Sequence, residues 1–280
     1  MEVYREPRLL SAKVKKIKKQ GKGVGFVPTM GYLHEGHLSL TRKAKKDTDY
    51  VVVSIFVNPI QFGAGEDLKK YPRDLRRDLS LCRNNGVDAV FVPASKTMYK
   101  PGFSTYVNVE GLTDGLCGAS RPGHFKGVTT VVAKLLNIVN PDTAYFGQKD
   151  AQQAIVIKQM AADLDMPIKI KIMPIIREKD GLAMSSRNVY LSPLERKEAL
   201  SLYRSLRTVK GLWKRGEKNT EKLARKMRDV ILKEKHAEID YVSIVDMKAL
   251  KPIKRISGKA LAAVAAKIGK TRLIDNIILG

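Results

Sequence analysis

The chain has 280 residues, 44 % apolar and 29 % charged, an ordinary balance for a folded globular protein that excludes a short peptide scaffold and a disordered tail. Its 52 Lys and Arg against 28 Asp and Glu give a formal charge of +24, which favours loose association with polyanions but specifies neither fold nor function. Two cysteines, Cys82 and Cys117, are too few for a disulfide framework or a four-cysteine zinc site, and the longest apolar runs, 51–57 and 261–266, are far below the roughly 20 residues that span a bilayer.

The first residues, Met1 to Pro7, contain no apolar stretch of the kind a secretory leader needs, so a cytoplasmic location is expected. Lys13, Lys15, Lys16, Lys18 and Lys19 follow at once. These lysines lack the interleaved aromatics of a single-strand nucleic-acid surface, and a solvated basic face is the plain expectation. From there short β-branched runs alternate with helical patterns. Strands are predicted at 24–27, 51–57, 89–92, 143–146 and 168–173, with helices at 38–46, 72–84, 128–140 and 151–163. Continuous apolar strands separated by helices imply a parallel sheet covered on both faces, hence a doubly wound, Rossmann-like α/β fold with ligands at the carboxyl ends of the strands.

The texture changes after Arg177. Glu178-Lys-Asp-Gly181 leads through Met184-Ser-Ser-Arg-Asn188 to a Ser-Pro-Leu-Glu capping-box pattern at Ser192. Helices at 193–215 and 220–235 and strands at 239–245 and 260–268 should follow, ending near Arg272-Leu-Ile-Asp-Asn276. This predicts a first domain over 1–175 and a smaller α+β carboxyl-terminal lid domain over 176–280.

Pro28-Thr-Met-Gly-Tyr-Leu-His-Glu-Gly-His37 joins a strand end to a helix start and holds two of the four histidines. Open amide donors and the positive end of the helix dipole favour phosphate at such a terminus, and Gly36 lets a ligand approach the backbone. His34 and His37 can then donate to phosphate oxygens. The alternative is a zinc pair, since His at i and i+3 share a helix face, but no third ligand stands at a recognisable spacing. Lys149 follows a strand end and offers a point charge to phosphate, or is a surface lysine. Gly147 and Asp150 suit a ribose contact, although Asp150 also suits a helix cap. Ser185, Ser186 and Arg187 can hold pyrophosphate oxygens, or form a serine-rich helix lead-in.

The Met30 to His37 block resembles the His-x-Gly-His signature of the nucleotidyltransferase superfamily. Val53-Ser-Ile-Phe-Val-Asn-Pro-Ile-Gln-Phe62, Tyr145-Phe-Gly-Gln-Lys-Asp-Ala-Gln-Gln153 and Asp180-Gly-Leu-Ala-Met-Ser-Ser-Arg-Asn188, with Tyr71-Pro-Arg73 and Arg121-Pro-Gly-His-Phe125, narrow the resemblance to the pantoate:beta-alanine ligase family, from about Val24 to the carboxyl terminus. The resemblance implies a two-step reaction. Pantoate attacks the α-phosphate of ATP to give pantoyl adenylate and pyrophosphate, and β-alanine then attacks the acyl carbon to give pantothenate and AMP. It implies magnesium with the ATP and a homodimer, with no specific nucleic acid and no membrane as partners. The ATP site it implies comprises Met30, Gly31, Tyr32, Leu33, His34, Glu35, Gly36, His37, Gly147, Gln148, Lys149, Asp150, Ile176, Met184, Ser185, Ser186 and Arg187. Catalytic roles fall to His34, His37, Lys149, Ser185, Ser186 and Arg187. Gln61 and Gln153 match pantoate ligands, Asn58 would orient the acyl or amine partner, and Pro28, Met30, Val131 and Val132 would pack on pantoate's dimethyl group. The glycine at 181 is expected to let the Met184–Arg187 loop move. His124 reads as structural.

Overall fold

A computed structural model describes residues 1–280. The chain divides into two compact units: Met1–Val109, Arg121–Gln148 and Gln153–Pro174 form the first, and Glu110–Ser120, Lys149–Gln152 and Ile175–Gly280 the second. The contiguous division into 1–175 and 176–280 is corrected in one respect, because two short earlier segments belong to the second unit. Gln152 explains the grouping. Its buried carboxamide donates to the carbonyls of Leu112 (2.9 Å) and Gly115 (2.8 Å) and accepts from the Cys117 N–H (3.0 Å), tying both segments together.

The first unit is built on strands β1 (Glu2–Tyr4), β2 (Val24–Thr29), β3 (Tyr50–Ile55), β4 (Ala89–Phe91), β5 (Thr143–Gly147) and β6 (Lys169–Met173). They form one parallel sheet in the order β1-β4-β3-β2-β5-β6. Its main helices are α1 (Pro7–Lys19), α2 (Glu35–Asp47), α3 (Leu75–Asn84), the short α4 (Ser95–Met98), α6 (His124–Val139) and α7 (Ala151–Asp163), with the short α5 (Cys117–Ser120) in the second unit. By the right-handed crossover rule, this strand order puts α2 and α3 on one face and α1, α6 and α7 on the other. Leu40, Ala44 and Cys82 accordingly pack with Val27, Val51, Val53, Val90 and Tyr145. Every residue of β3 is buried, as a strand covered on both faces requires. Chain order reverses between β2 and β5, so the crevice beyond their carboxyl ends is the place in this sheet where a ligand can enter between diverging loops.

Several boundaries differ from the sequence expectation for local reasons. Helix α2 starts at Glu35, not 38, because His34 caps it, and α3 starts at Leu75 because the Asp74 carboxylate accepts from Arg77 N–H (3.0 Å). The amino-terminal lysine cluster is a helix: Leu10, Val14 and Ile17 bury one stripe while Lys16, Lys18 and Lys19 occupy the last turn, where the helix dipole favours cations. Strand β1 also lay outside the sequence reading.

The second unit contains α8 (Pro193–Lys214), α9 (Thr220–Ile231) and the antiparallel sheet of β7 (Ala237–Asp246), β8 (Ala260–Ile268) and β9 (Thr271–Leu279) in that order. The capping box at α8 is present: Ser192 Oγ accepts from Glu195 N–H (3.3 Å) and Glu195 Oε2 from Ser192 N–H (2.8 Å). Leu202, Leu206, Leu223 and Met227 pack on the Ala262, Val264 and Ala266 side of β8. The small residues of β8 let two helices approach a narrow sheet closely. The third strand, β9, lay outside the sequence reading and runs past the expected end near residue 276 to Leu279.

Candidate active site

The loop from β2 into α2 is fixed before any histidine enters it. Thr29 Oγ1 donates to the Ser54 carbonyl (2.7 Å) and accepts from Gly31 N–H (3.1 Å). Gly31 has φ +88°, and a Cβ there would lie 2.9 Å from Ile55 Cγ2 and 3.0 Å from Asp78 Oδ2, so only glycine fits. The next residue, Tyr32, is also left-handed (φ 50°). Asp78 holds this turn from α3. Its buried carboxylate accepts from Tyr32 N–H (2.7 Å) through Oδ2 and from Leu33 N–H (2.7 Å) through Oδ1. Burial raises the Asp78 carboxyl above its ordinary value even though the two amides and the Arg77 charge pull the other way.

His34 and His37 form a reciprocal cap. His34 Nδ1 accepts from Gly36 N–H (3.2 Å), and His37 Nδ1 accepts from His34 N–H (3.3 Å). Their ring centroids are 4.1 Å apart. Since both Nδ1 atoms accept, each neutral ring carries its proton on Nε2. This corrects the expectation of open amides. Gly36 N–H is taken by His34 Nδ1, and the His37 and Leu38 N–H groups by the His34 carbonyl. The ring donors of the two histidines are therefore their Nε2–H groups, beside the positive end of the helix dipole.

Beyond β3, three of the expected substrate residues meet. Asn58 Nδ2 donates to Gln61 Oε1 (3.0 Å) and to the Gly127 carbonyl (3.1 Å), while Asn58 Oδ1 accepts from Tyr99 O–H (2.7 Å). With its oxygen so engaged, Gln61 turns its amide nitrogen to Met30 Sδ (3.1 Å) and presents its donor side. The Gln61 backbone is held as tightly. Arg121 pairs with Glu66 and lies 3.0 Å from His124 Nε2, so His124 carries its proton on Nδ1 and donates it to the Gln61 carbonyl (2.8 Å). Burial raises Glu66, but the Arg121 hydrogen bonds and charge outweigh it and hold the carboxyl below its ordinary value. His124 is thus structural, through Gln61.

In the second unit, Lys149 and Asp150 lie in a single 3-10 turn after β5, with Lys149 Nζ 4.0 Å from Asp150 Oδ2. Asp150 is exposed, and neighbouring Gly147 and Gln148 are half-buried. Residues 176–184 form a tight antiparallel hairpin: Met184 N–H donates to the Ile176 carbonyl (3.0 Å) and Glu178 N–H to Leu182 (2.8 Å). Gly181 turns it with φ +99°, and a Cβ there would meet the Tyr203 ring at 2.4 Å. The glycine also permits close packing on Tyr203. The hairpin delivers Ser185, whose Oγ caps the following turn by accepting from Arg187 N–H (3.2 Å). Capping uses acceptor capacity only and leaves the Ser185 O–H as a donor. Ser186 is buried and Arg187 half-buried.

The other expected substrate residues lie on β2, α6 and α7. Pro28 is half-buried in β2, and Val131 and Val132 are both buried in α6, whose apolar residues face the core all round. Gln153 is half-buried on the first turn of α7, beside the structural Gln152. Asp78, Gly127, Arg177 and Asn276 were not foreseen as functional. Asp78, Gly127 and Asn276 meet partners distant in sequence, and the one legible signal was the Asp in the first turn of an otherwise basic helix, Arg76-Arg-Asp78.

The sequence model described as pantoate-beta-alanine ligase matches residues 2–278, extending the resemblance to the amino terminus. The pantothenate synthetase of Caldicellulosiruptor saccharolyticus is 59 % identical over 266 residues, 95 % of each chain, and that of Heliobacterium modesticaldum 55 % identical over 279 residues, covering 100 % of this chain and 99 % of the relative. Among solved structures, the pantothenate synthetase of Thermus thermophilus superposes with a TM-score of 0.94 at 45 % identity, covering 99 % of each chain. The pantoate-beta-alanine ligase of Francisella tularensis, complexed with beta-gamma ATP and beta-alanine, superposes with a TM-score of 0.81 at 35 % identity, covering 99 % of this chain and 97 % of that one.

Proposed function

We propose how this chain carries out the reaction of the pantoate-beta-alanine ligase family, to which it belongs: an ATP-dependent condensation of pantoate with β-alanine. In the first step a pantoate carboxylate oxygen attacks the α-phosphorus of ATP, and pyrophosphate leaves. In the second the β-alanine amine attacks the acyl carbon, and AMP leaves with the carboxylate oxygen. Neither step needs an enzyme nucleophile, so the residues act by placement and by charge.

The observation that carries this reading is the reciprocal histidine cap, which fixes two Nε2–H donors at the positive end of α2. His34 and His37 donate to phosphate oxygens of ATP as charge shifts toward pyrophosphate. Lys149 adds a point charge, and Ser185, Ser186 and Arg187 add hydroxyl and guanidinium donors that do not titrate near neutral pH. Gln61, oriented by Asn58 and Met30, offers N–H donors to pantoate oxygens without the salt bridge that would blunt a carboxylate nucleophile, and Gln153 serves alongside it. Pro28, Met30, Val131 and Val132 supply apolar surface for the dimethyl group. Ile176 and Met184, paired across the hairpin, pack against the nucleotide, and Gly147, Gln148 and Asp150 meet its ribose. Magnesium would be carried by the ATP phosphates and would offset their charge there. The chain gathers no group of three or more His, Cys, Asp or Glu side chains that could hold an ion by themselves. The active form is a cytoplasmic homodimer. No helix is long and apolar enough to cross a membrane.

The test follows pyrophosphate and AMP separately. Pyrophosphate should appear with ATP and pantoate alone, and AMP and pantothenate only once β-alanine is added. His37→Ala and Lys149→Ala should each slow adenylation by about 2–4 kcal/mol in barrier terms with folding intact. A near-wild-type rate in either variant removes that residue from the mechanism.

A further inference from the structure

The carboxyl-terminal strand carries two adjacent buried polar residues, Asp275 and Asn276, each 3 % exposed, on an element the proposed chemistry does not use. They sit opposite Val264 and Ala263 of β8, in the regular part of the sheet. Asp275 receives the Arg177 guanidinium in a two-pronged pair, Nη1 to Oδ2 at 2.6 Å and Nη2 to Oδ1 at 2.9 Å, and Oδ1 also accepts from Asn276 N–H (2.8 Å). Arg177 Nη1 donates onward to the Gly181 carbonyl (3.1 Å), and its guanidinium lies 4.0 Å over the Tyr203 ring. The hairpin that delivers Ser185–Arg187 is thus pinned to β9 at its base, and the same arginine ties its turn back to that base. On the neighbouring residue, Asn276 Nδ2 donates to the Lys149 carbonyl (3.0 Å).

Two segments far apart in the chain are therefore registered on consecutive residues of one strand. A buried bidentate ion pair contributes little net stability but specifies geometry strongly, and an anchor on a paired strand positions a side chain more closely than a loop does by itself. Lys149 stands at the middle of a 3-10 turn of three residues, and its carbonyl is held by the Asn276 amide. We propose that Asn276 is a positioning residue for Lys149, setting the backbone from which the ammonium reaches the ATP phosphates. The role rests on the reading of Lys149 given above.

The experiment is a double-mutant cycle with Asn276→Ala, Lys149→Ala and the double variant, read in two half-reactions. These are pyrophosphate release with ATP and pantoate, and single-turnover aminolysis of preformed pantoyl adenylate by β-alanine. Asn276→Ala should slow adenylation about tenfold, as a small misplacement of a charged group does, and leave aminolysis unchanged. In the Lys149→Ala background it should have no further effect. Three results overturn the role: adenylation within about twofold of wild type, equal losses in both half-reactions, or the same loss with Lys149 absent. If Lys149→Ala alone adenylates normally, the reading of Lys149 falls and the positioning role falls with it. Asn276→Ser, which keeps a shorter donor, takes the same cycle should the alanine variant fail to fold.

Discussion

Gly127 lies inside α6, where alanine would ordinarily be the better helix former by about 1 kcal/mol. A Cβ at this position, however, would lie 2.3 Å from the Ile60 carbonyl oxygen and 2.6 Å from Gln61 Cα. Both are backbone atoms, and neither can swing aside. Carbon atoms settle at roughly 3.5–4.0 Å, so the substitution has to displace the 59–61 turn or the helix by about 1 Å. Overpacking of this kind costs about 1–3 kcal/mol. Set against the helix-propensity gain, Gly127→Ala should destabilise the protein by about 0–2 kcal/mol. The functional loss should be larger, because the displaced atoms carry Gln61 and the Asn58 hydrogen bond to the Gly127 carbonyl. A shift of that size at a positioning residue can lower kcat/KM for pantoate by up to about 100-fold. Gly211 in α8 is the control, since a Cβ there meets nothing within 4 Å. Gly211→Ala should stabilise by about 0.5–1 kcal/mol and leave catalysis alone. Urea denaturation and steady-state kinetics on both variants decide the matter. A Gly127→Ala protein as stabilised as Gly211→Ala, with unchanged kcat/KM for pantoate, would refute the packing argument.

Asp78→Asn keeps the shape of the side chain but turns one acceptor into a donor facing a buried backbone N–H of Tyr32 or Leu33. This should cost about 1–3 kcal/mol, seen as a lower denaturation midpoint, together with slower pyrophosphate release; a wild-type midpoint would show that the loop does not depend on the carboxylate. Glu66 provides a pH prediction. Its folded carboxyl titrates below the ordinary 4.5, so its pairing with Arg121 contributes stability that is fully present above that value and lost as pH falls through the lowered folded value. The melting-temperature gap between wild type and Glu66→Gln should therefore close on acidification through and below pH 4.5, and a gap independent of pH would contradict the assignment.

How much of this could be read from the chain itself depends on the range of the interactions. The β-branched runs of β2 and β3, the capping-box residues Ser192 and Glu195, and the two histidines three apart around Gly36 all act within a few residues of themselves, and backbone periodicity and hydrogen-bonding capacity specify such local geometry directly. The doubly wound sheet followed from strand and helix alternation for the same reason. Other features depended on partners that only the folded topology supplies. Asp78 serves amides 46 and 45 residues earlier in the chain, Gln152 ties down carbonyls 40 and 37 residues earlier, and Asn276 reaches a carbonyl 127 residues away. A buried polar side chain must be satisfied, but its sequence neighbourhood does not say by what. The same holds for Gly127 and Gly181, whose need for a missing side chain arises from a loop and a ring brought against them by the fold. Residue type and spacing determined the chemistry available to this protein, and tertiary structure decided where each donor points, because partner choice is settled by which segments the sheet brings together.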